Sequence, residues 1–234
     1  MKIAPVASTR HTITILVVLA IVTALSAASF QAHAASSTPI SHVQLYVVLL
    51  LSEWLLVFGV WRGLRAYGTP VRELVGVGTA PGKPIVRSIV LGIAAMPIVR
   101  VLAYGVAHAL AAGLGGHPEQ DSTHVTTLVQ PHGLVECVLW VLLSISAGIC
   151  EEFVYRGYLQ RQFAARFGGM VPGIVLSAVV FGLAHAYQGG WSIVVITLGF
   201  GVPLGLLAWA VRGLLPGMIS HALQDVIAGL TRFG

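Results

Sequence analysis

Three short stretches in the second half of the chain combine side chains able to move protons. They are CEEFVYR, from Cys150 to Arg156; FGLAH, from Phe181 to His185; and HALQD, from His221 to Asp225. Glu152 and Arg156 are four residues apart with the acid first, the favourable order for an ion pair within a helix. Glu151 is five residues from Arg156 and rotated about 100° from Glu152 on an α-helix. The spacing therefore partners one glutamate and leaves the other on a neighbouring face. A partnered Glu152 serves as an anchor, whereas an apolar setting suits Glu151 to exchanging protons near neutrality. His221 and Asp225, also four apart, share a face, so that the carboxylate would hold the imidazole in one tautomer and orientation. A hairpin turning at Phe167-Gly168-Gly169-Met170 puts Glu151 and His185 each about 15–17 residues from the turn. That is roughly 24 Å along a helix, so antiparallel neighbours would bring the two to similar depth. Taken singly, each feature has a bland explanation; together, in consecutive apolar segments, they do not.

The segments that carry these residues are apolar enough to define the class of protein. Of 234 residues, 56% are hydrophobic and 9% charged, where a soluble domain carries about a quarter charged residues. Apolar stretches run approximately over 13–30, 43–61, 86–114, 134–155, 171–187, 191–211 and 214–230, several near the roughly 20 residues that a bilayer requires. The expected fold is all-α: a polytopic transmembrane helical bundle of about seven to eight helices. Residues 1–34 read as a first transmembrane helix or signal-peptide-like segment, 35–133 as N-terminal spans and loops, and 134–234 as the chemically equipped core.

The net charge of +5 reads as topology. Lys2 and Arg10 precede the first span; Arg62, Arg65, Arg72, Lys83 and Arg87 lie between or near the second and third. Arg156, Arg161 and Arg166 follow the fourth, and Arg212 the sixth. The intervening segments hold no Lys or Arg, and only Arg232 falls on the other side. This alternation places the N-terminus in the cytoplasm of a multi-pass protein of the cell membrane. Ala32-His33-Ala34 resembles an A-x-A cleavage site, and cleavage there would leave the remaining topology unchanged. Cys137 and Cys150 would stand about 20 Å apart on one helix, too far for a disulfide.

Other polar groups have structural readings. Glu53 and Arg100, on the second and third spans, suggest an ion pair or two groups reaching for the interface, and His108 a core histidine. VRELVGV, within the basic linker 62–84, suits a short interfacial helix. The loop with His117, Glu119, Asp121, His124 and His132 lacks tight metal-ligand spacing and reads as solvated. Gly201 and Gly205 have the small-xxx-small spacing of close helix contacts. No internal repeat, phosphate-binding loop, dinucleotide fingerprint or nucleic-acid module is present. Intramembrane Glu, His and Asp also serve proton-coupled transporters, and a peptide-binding immunity protein is a further class.

The ordered set EExxxR, FxxxH and HxxxD resembles the CPBP family of CAAX prenyl-protein endopeptidases and bacteriocin-processing membrane proteins, over roughly residues 134–230. The resemblance implies a glutamate-dependent intramembrane endopeptidase acting on a membrane-associated peptide or protein. By motif, Glu151 would be the general base working with His185. His221 and Asp225 would position water or stabilise the oxyanion, and Glu152, Arg156 and Phe181 would brace the site. No cofactor is required by this scheme. Zinc on Glu151, His185 and His221 is an alternative, since two histidines and a glutamate form a known catalytic ligand set, although HExxH is missing.

Overall fold

The computed structural model describes residues 3–34, 41–76, 85–115 and 129–230. Among them are eight helices and no strand: α1 (Thr9–Ala34), α2 (His42–Tyr67), α3 (Val71–Val75), α4 (Ile85–Leu114), α5 (Leu134–Arg166), α6 (Met170–Ala184), α7 (Gly190–Val211) and α8 (Leu215–Leu230). Five of them, α1, α2, α4, α5 and α7, are long and apolar enough to cross a membrane. Leu25, Leu51, Leu55, Ile98 and Val101 are exposed on their outer faces. A soluble protein rarely leaves so much large apolar surface uncovered, but a bilayer accepts it, because helices satisfy their own backbone polar groups. The protein is a helical membrane bundle.

Turn chemistry sets the boundaries. Gly68 ends α2 at φ 78°, Gly76 ends α3 at φ 76°, and both take the left-handed conformation that glycine adopts without strain. The α5–α6 hairpin turns through Gly168 at φ 80°, at the Phe-Gly-Gly the sequence indicates. The VREL stretch forms α3 as expected. Helix α6 stops at Ala184, short of the expected 187, so His185 caps a helix end instead of lying within a span. Lys2, Lys83, His117, Glu119, Asp121, His124 and Arg232 lie outside the described residues.

Helix α5 is the hub. Its middle, Phe153 to Leu159, is buried against Val60 and Leu64 of α2, Leu74 of α3, Phe181 of α6, and Leu214 and Met218 at the start of α8. Helix α2 runs parallel to its first half, matching His42 to Glu136, Tyr46 to Trp140 and Glu53 to Ser146. Helix α8 runs antiparallel. A Cβ on Gly148 would stand 2.6 Å from the Met218 carbonyl oxygen, so glycine is what lets these two backbones meet. The N-terminal segment is tied to the same hub. The buried Gln162 side chain accepts from the Val6 and Ala7 amides at 2.8 and 3.3 Å and donates to the Ala7 carbonyl at 2.9 Å.

Two π-helical segments interrupt the α-helices: Glu152–Leu159 in α5 and Ile196–Gly201 in α7. A π turn widens the helix and shifts the hydrogen-bond ladder, and such segments recur at functional sites. Here the two are matched to each other. Arg156 donates to the Gly201 carbonyl at 3.4 Å, and one turn on Gln160 donates to the Gly205 carbonyl at 3.1 Å. Ser177 of α6 donates to the Tyr155 carbonyl at 2.6 Å. Gly201 and Gly205 lie against Ala178 and Ile174 of α6, where a Cβ would come within 2.8 and 3.0 Å.

Candidate active site

The two glutamates straddle the junction between α and π geometry, Glu151 closing the first and Glu152 opening the second. Their environments differ accordingly. Glu152 is fully buried at 0% exposure and Arg156 at 2%. Glu152 Oε1 lies 2.8 Å from Arg156 Nη1 and 3.1 Å from His221 Nδ1. One carboxylate oxygen thus neutralises the guanidinium and fixes the imidazole. A buried ion pair is tolerable only with such added hydrogen bonds, since each ion loses its hydration. Arg156 also lies over the face of the Phe181 ring, 4.3 Å from its centroid. Gly217 opposes Glu152, and a Cβ there would stand 2.9 Å from Oε2.

Glu151 points into more open surroundings, its side chain 22% exposed. Its Oε2 lies 3.6 Å from His221 Nε2 and has no hydrogen-bond partner. Asp225 Oδ2 stands at the same 3.6 Å from that nitrogen, its side chain 36% exposed. Because a carboxylate accepts at His221 Nδ1, that nitrogen carries a proton and Nε2 is the atom turned towards Glu151 and Asp225. The carboxylate that grips Nδ1 and so sets the ring's orientation is Glu152, from a different helix, where sequence spacing suggests Asp225. Asp225 is itself placed from α5: Trp140 Nε1 donates to its carbonyl at 3.0 Å. The indole fits there because residue 229 is glycine.

His185 makes no hydrogen bond or ion pair with Glu151, Glu152, His221 or Asp225. Its Nδ1 donates to the Phe181 carbonyl at 2.8 Å, capping the last turn of α6 and leaving Nε2 as an acceptor in the neutral ring. It connects to the cluster through Phe181, whose ring is 4.7 Å from the His185 centroid and 5.9 Å from that of His221. Helix α6, with 15 residues, is about 22 Å long, less than the roughly 30 Å of a hydrocarbon core. With its other end at the 167–169 turn, His185 therefore stops at membrane depth.

The alternative zinc set of Glu151, His185 and His221 does not fit this arrangement. Among the described residues no three His, Cys, Asp or Glu side chains group as a metal site requires, and His185 stands apart from Glu151 and His221.

Two residues join the site that motif reading does not place there. The Glu53–Arg100 pairing is not met: Arg100 lies exposed on α4, while Glu53 Oε2 accepts from Ser146 Oγ at 2.7 Å. Ser146 carries no sequence signal of its own. Glu53 carried one, as an intramembrane acid, but its partner is uncharged and 93 residues away.

Residues 133–227 match a family model described as type II CAAX prenyl endopeptidase Rce1-like. No curated protein and no solved structure matches the chain. The matched segment contains all three motifs and spans α5 to nearly the end of α8, leaving α1–α4 outside it. It agrees with the CPBP resemblance drawn from the motifs, and with a buried carboxylate–imidazole cluster inside a membrane bundle. Residues 133–227 of this membrane protein are thus similar to the Rce1-like type II CAAX prenyl endopeptidases, a family of proteases.

Proposed function

We propose that the protein is an intramembrane endopeptidase in which Glu151 is the general base. The observation that carries this reading is the Glu151 carboxylate oxygen, buried and unpartnered within the protein, 3.6 Å from an imidazole nitrogen whose other nitrogen is already fixed by Glu152. Glu151 takes a proton from water and the resulting hydroxide attacks the peptide carbonyl. The negative charge that develops on the carbonyl oxygen is met by His221 through Nε2–H, with Glu152 orienting the ring and Asp225 balancing its charge. Glu151 then returns the proton to the leaving nitrogen as the C–N bond breaks. His185 presents its Nε2 as an acceptor for the second hydrogen of the water. Phe181, with Arg156 on its face, keeps the two imidazoles at a fixed separation.

The substrate is a membrane-associated peptide or protein, brought to the site within the bilayer, and the scheme needs no cofactor. The distribution of Lys and Arg supports a multi-pass protein of the cell membrane with its N-terminus in the cytoplasm. A direct test compares membrane peptides from cells carrying the native protein or Glu151→Gln, together with cleavage of the accumulating species by purified protein. Gln keeps the shape of the side chain, and Oε2 has no internal partner to lose, so the variant is expected to fold. Its cleavage rate should fall by about 10²–10⁴, the usual contribution of a positioned base. Full activity in Glu151→Gln would sink the reading.

A further inference from the structure

Helices α1 and α2 part from each other at the end of the bundle where α1 starts and α2 stops. A Cβ on Gly59 would stand 3.5 Å from Ile15 Cδ1, so the two helices touch at that level. One turn on, a Cβ on Gly63 would overlap the His11 imidazole, so glycine is what admits the ring. Beyond this turn lies a cavity of about 300 Å³, lined by Ser8, His11, Arg62, Gly63, Ala66 and Tyr67. The His11 wall is held by both neighbouring helices. Its Nε2 is 3.1 Å from the Gly59 carbonyl oxygen and its Nδ1 2.7 Å from the Tyr158 hydroxyl. A carbonyl only accepts, so Nε2 carries the proton and, in the neutral ring, Nδ1 accepts from Tyr158. Tyr158 belongs to the π segment of α5 that opens at Glu152.

The donors around this cavity are available to a ligand. Arg62 is exposed and makes no hydrogen bond or ion pair among the described residues. Ser8 Oγ accepts from the His11 amide at 3.2 Å, which leaves its own hydrogen to donate. No carboxylate lines the cavity, and the planar fork of an arginine suits a phosphate. The rest of the face points to where that phosphate comes from. Phe58 and Leu55, four and seven residues before Arg62, continue its face of α2 and are exposed. The face thus has a cation at the helix end and apolar side chains towards the middle, matching a phospholipid with its headgroup and acyl chains. Basic pockets between membrane helices take anionic headgroups in this way. We propose that the α1–α2 cavity binds the phosphate of an anionic phospholipid. Arg62 is its charged partner, the Ser8 and Tyr67 hydroxyls are further donors, and the acyl chains lie over Phe58 and Leu55. At about 300 Å³ the cavity is at the lower limit of small-molecule sites, about 300–1,000 Å³. That is room for a headgroup. A lipid there bridges α1 and α2 beside the His11–Tyr158 bond and supports the docking of α1 on α5. The site lies outside residues 133–227 and does not depend on the role of Glu151.

The test titrates purified protein in a non-ionic detergent with phosphatidylglycerol, phosphatidylcholine or inorganic phosphate and follows the thermal midpoint. Phosphatidylglycerol should raise it by about 5–10 °C at a hundred times its Kd, with no comparable shift from the other two. Arg62→Gln should weaken phosphatidylglycerol binding at least about tenfold, the loss of a charge-assisted contact. Arg65→Gln removes the same charge one turn away, outside the cavity lining. It should lose no more than the about fivefold that any basic residue contributes near an anionic surface. Ala66→Leu, which fills the cavity and leaves its charges in place, should weaken binding as Arg62→Gln does. No shift with phosphatidylglycerol, or an equal one with phosphatidylcholine, overturns the site, as does native affinity in Ala66→Leu. An equal shift from inorganic phosphate marks a site for soluble anions and overturns the assignment to lipid. Equal losses in Arg62→Gln and Arg65→Gln mark diffuse surface attraction and overturn it as well.

Discussion

The Glu152–Arg156 pair gives a prediction whose size follows from burial. Replacing Arg156 by Met leaves Glu152, at 0% exposure, with the His221 contact as its remaining polar partner. Removing one member of a buried pair typically costs about 3–5 kcal/mol, mostly because the other charge is left uncompensated. The lost stacking over Phe181 at 4.3 Å adds about 1–2 kcal/mol, and the Gly201 carbonyl loses its donor. Against a typical total stability of about 5–15 kcal/mol, the single variant should be severely destabilised. For a chain of this length each kcal/mol moves the midpoint by about 2–4 °C, so 3–5 kcal/mol corresponds to about 6–20 °C in a detergent thermal melt.

The double variant Glu152→Met/Arg156→Met separates pairing from packing. Two apolar side chains of similar volume remove both charges at once, and such replacements are often neutral or stabilising. Its midpoint should therefore return to within a few degrees of native, a coupling of several kcal/mol between the two positions. Cleavage should not return with it, because His221 Nδ1 loses the carboxylate that sets its ring. A single Arg156→Met variant that melts within about 2 °C of native would refute the buried-charge argument. A double variant as unstable as the sum of the singles would refute it equally, and full cleavage by the double variant would refute the orienting role of Glu152.

Two further perturbations bear on how the site is held. Gly148→Ala places a methyl group 2.6 Å from the Met218 carbonyl and 2.9 Å from the Ala222 Cβ, an overpacking worth about 1–3 kcal/mol. Because α8 must move to relieve it, His221 shifts relative to Glu151, and cleavage should fall more steeply than stability; equal melting and cleavage to native would show the crossing is not tight. Gln162→Leu orphans the Val6 and Ala7 backbone groups that the amide serves, at about 1–3 kcal/mol for each buried group. It should lower the melting midpoint and expose the segment before α1 to limited proteolysis, whereas native protease resistance would rule out the clamp.

What the sequence revealed follows the range over which its signals act. Apolar run length placed the five long helices and Gly168-Gly169 the α5–α6 hairpin, because bilayer thickness and glycine's left-handed conformation are local constraints, while the runs at 171–187 and 214–230 form shorter helices of 15 and 16 residues. The Glu152–Arg156 contact was legible for the same reason, as an i,i+4 pair. Glu53 was not, since its partner Ser146 is uncharged and far away in sequence; the only opposite charge suggested by spacing, Arg100, turned out to face outward. His185 was misplaced by assuming that α6 continues through it. The imidazole instead bonds to the carbonyl four residues back and ends the helix.

The π segments were the least legible feature, and they bear most directly on the site. Counting 100° per residue separates Glu151 from Glu152 on an ideal α-helix, but the actual helix changes its hydrogen-bond register between those two residues. Nothing in EFVYRGYL announces this. The compensation lies on another helix, where the Gly201 and Gly205 carbonyls accept from Arg156 and Gln160 with the same offset of 45 residues. A wider turn is stable here because α7 presents those carbonyls, glycine lets them come close to α6, and Ser177 serves Tyr155. The different environments of the two glutamates, one fully buried and locked to Arg156 and His221, the other partly exposed with Oε2 3.6 Å from His221 Nε2, are therefore a property of the packed helices and not of the EExxxR motif alone.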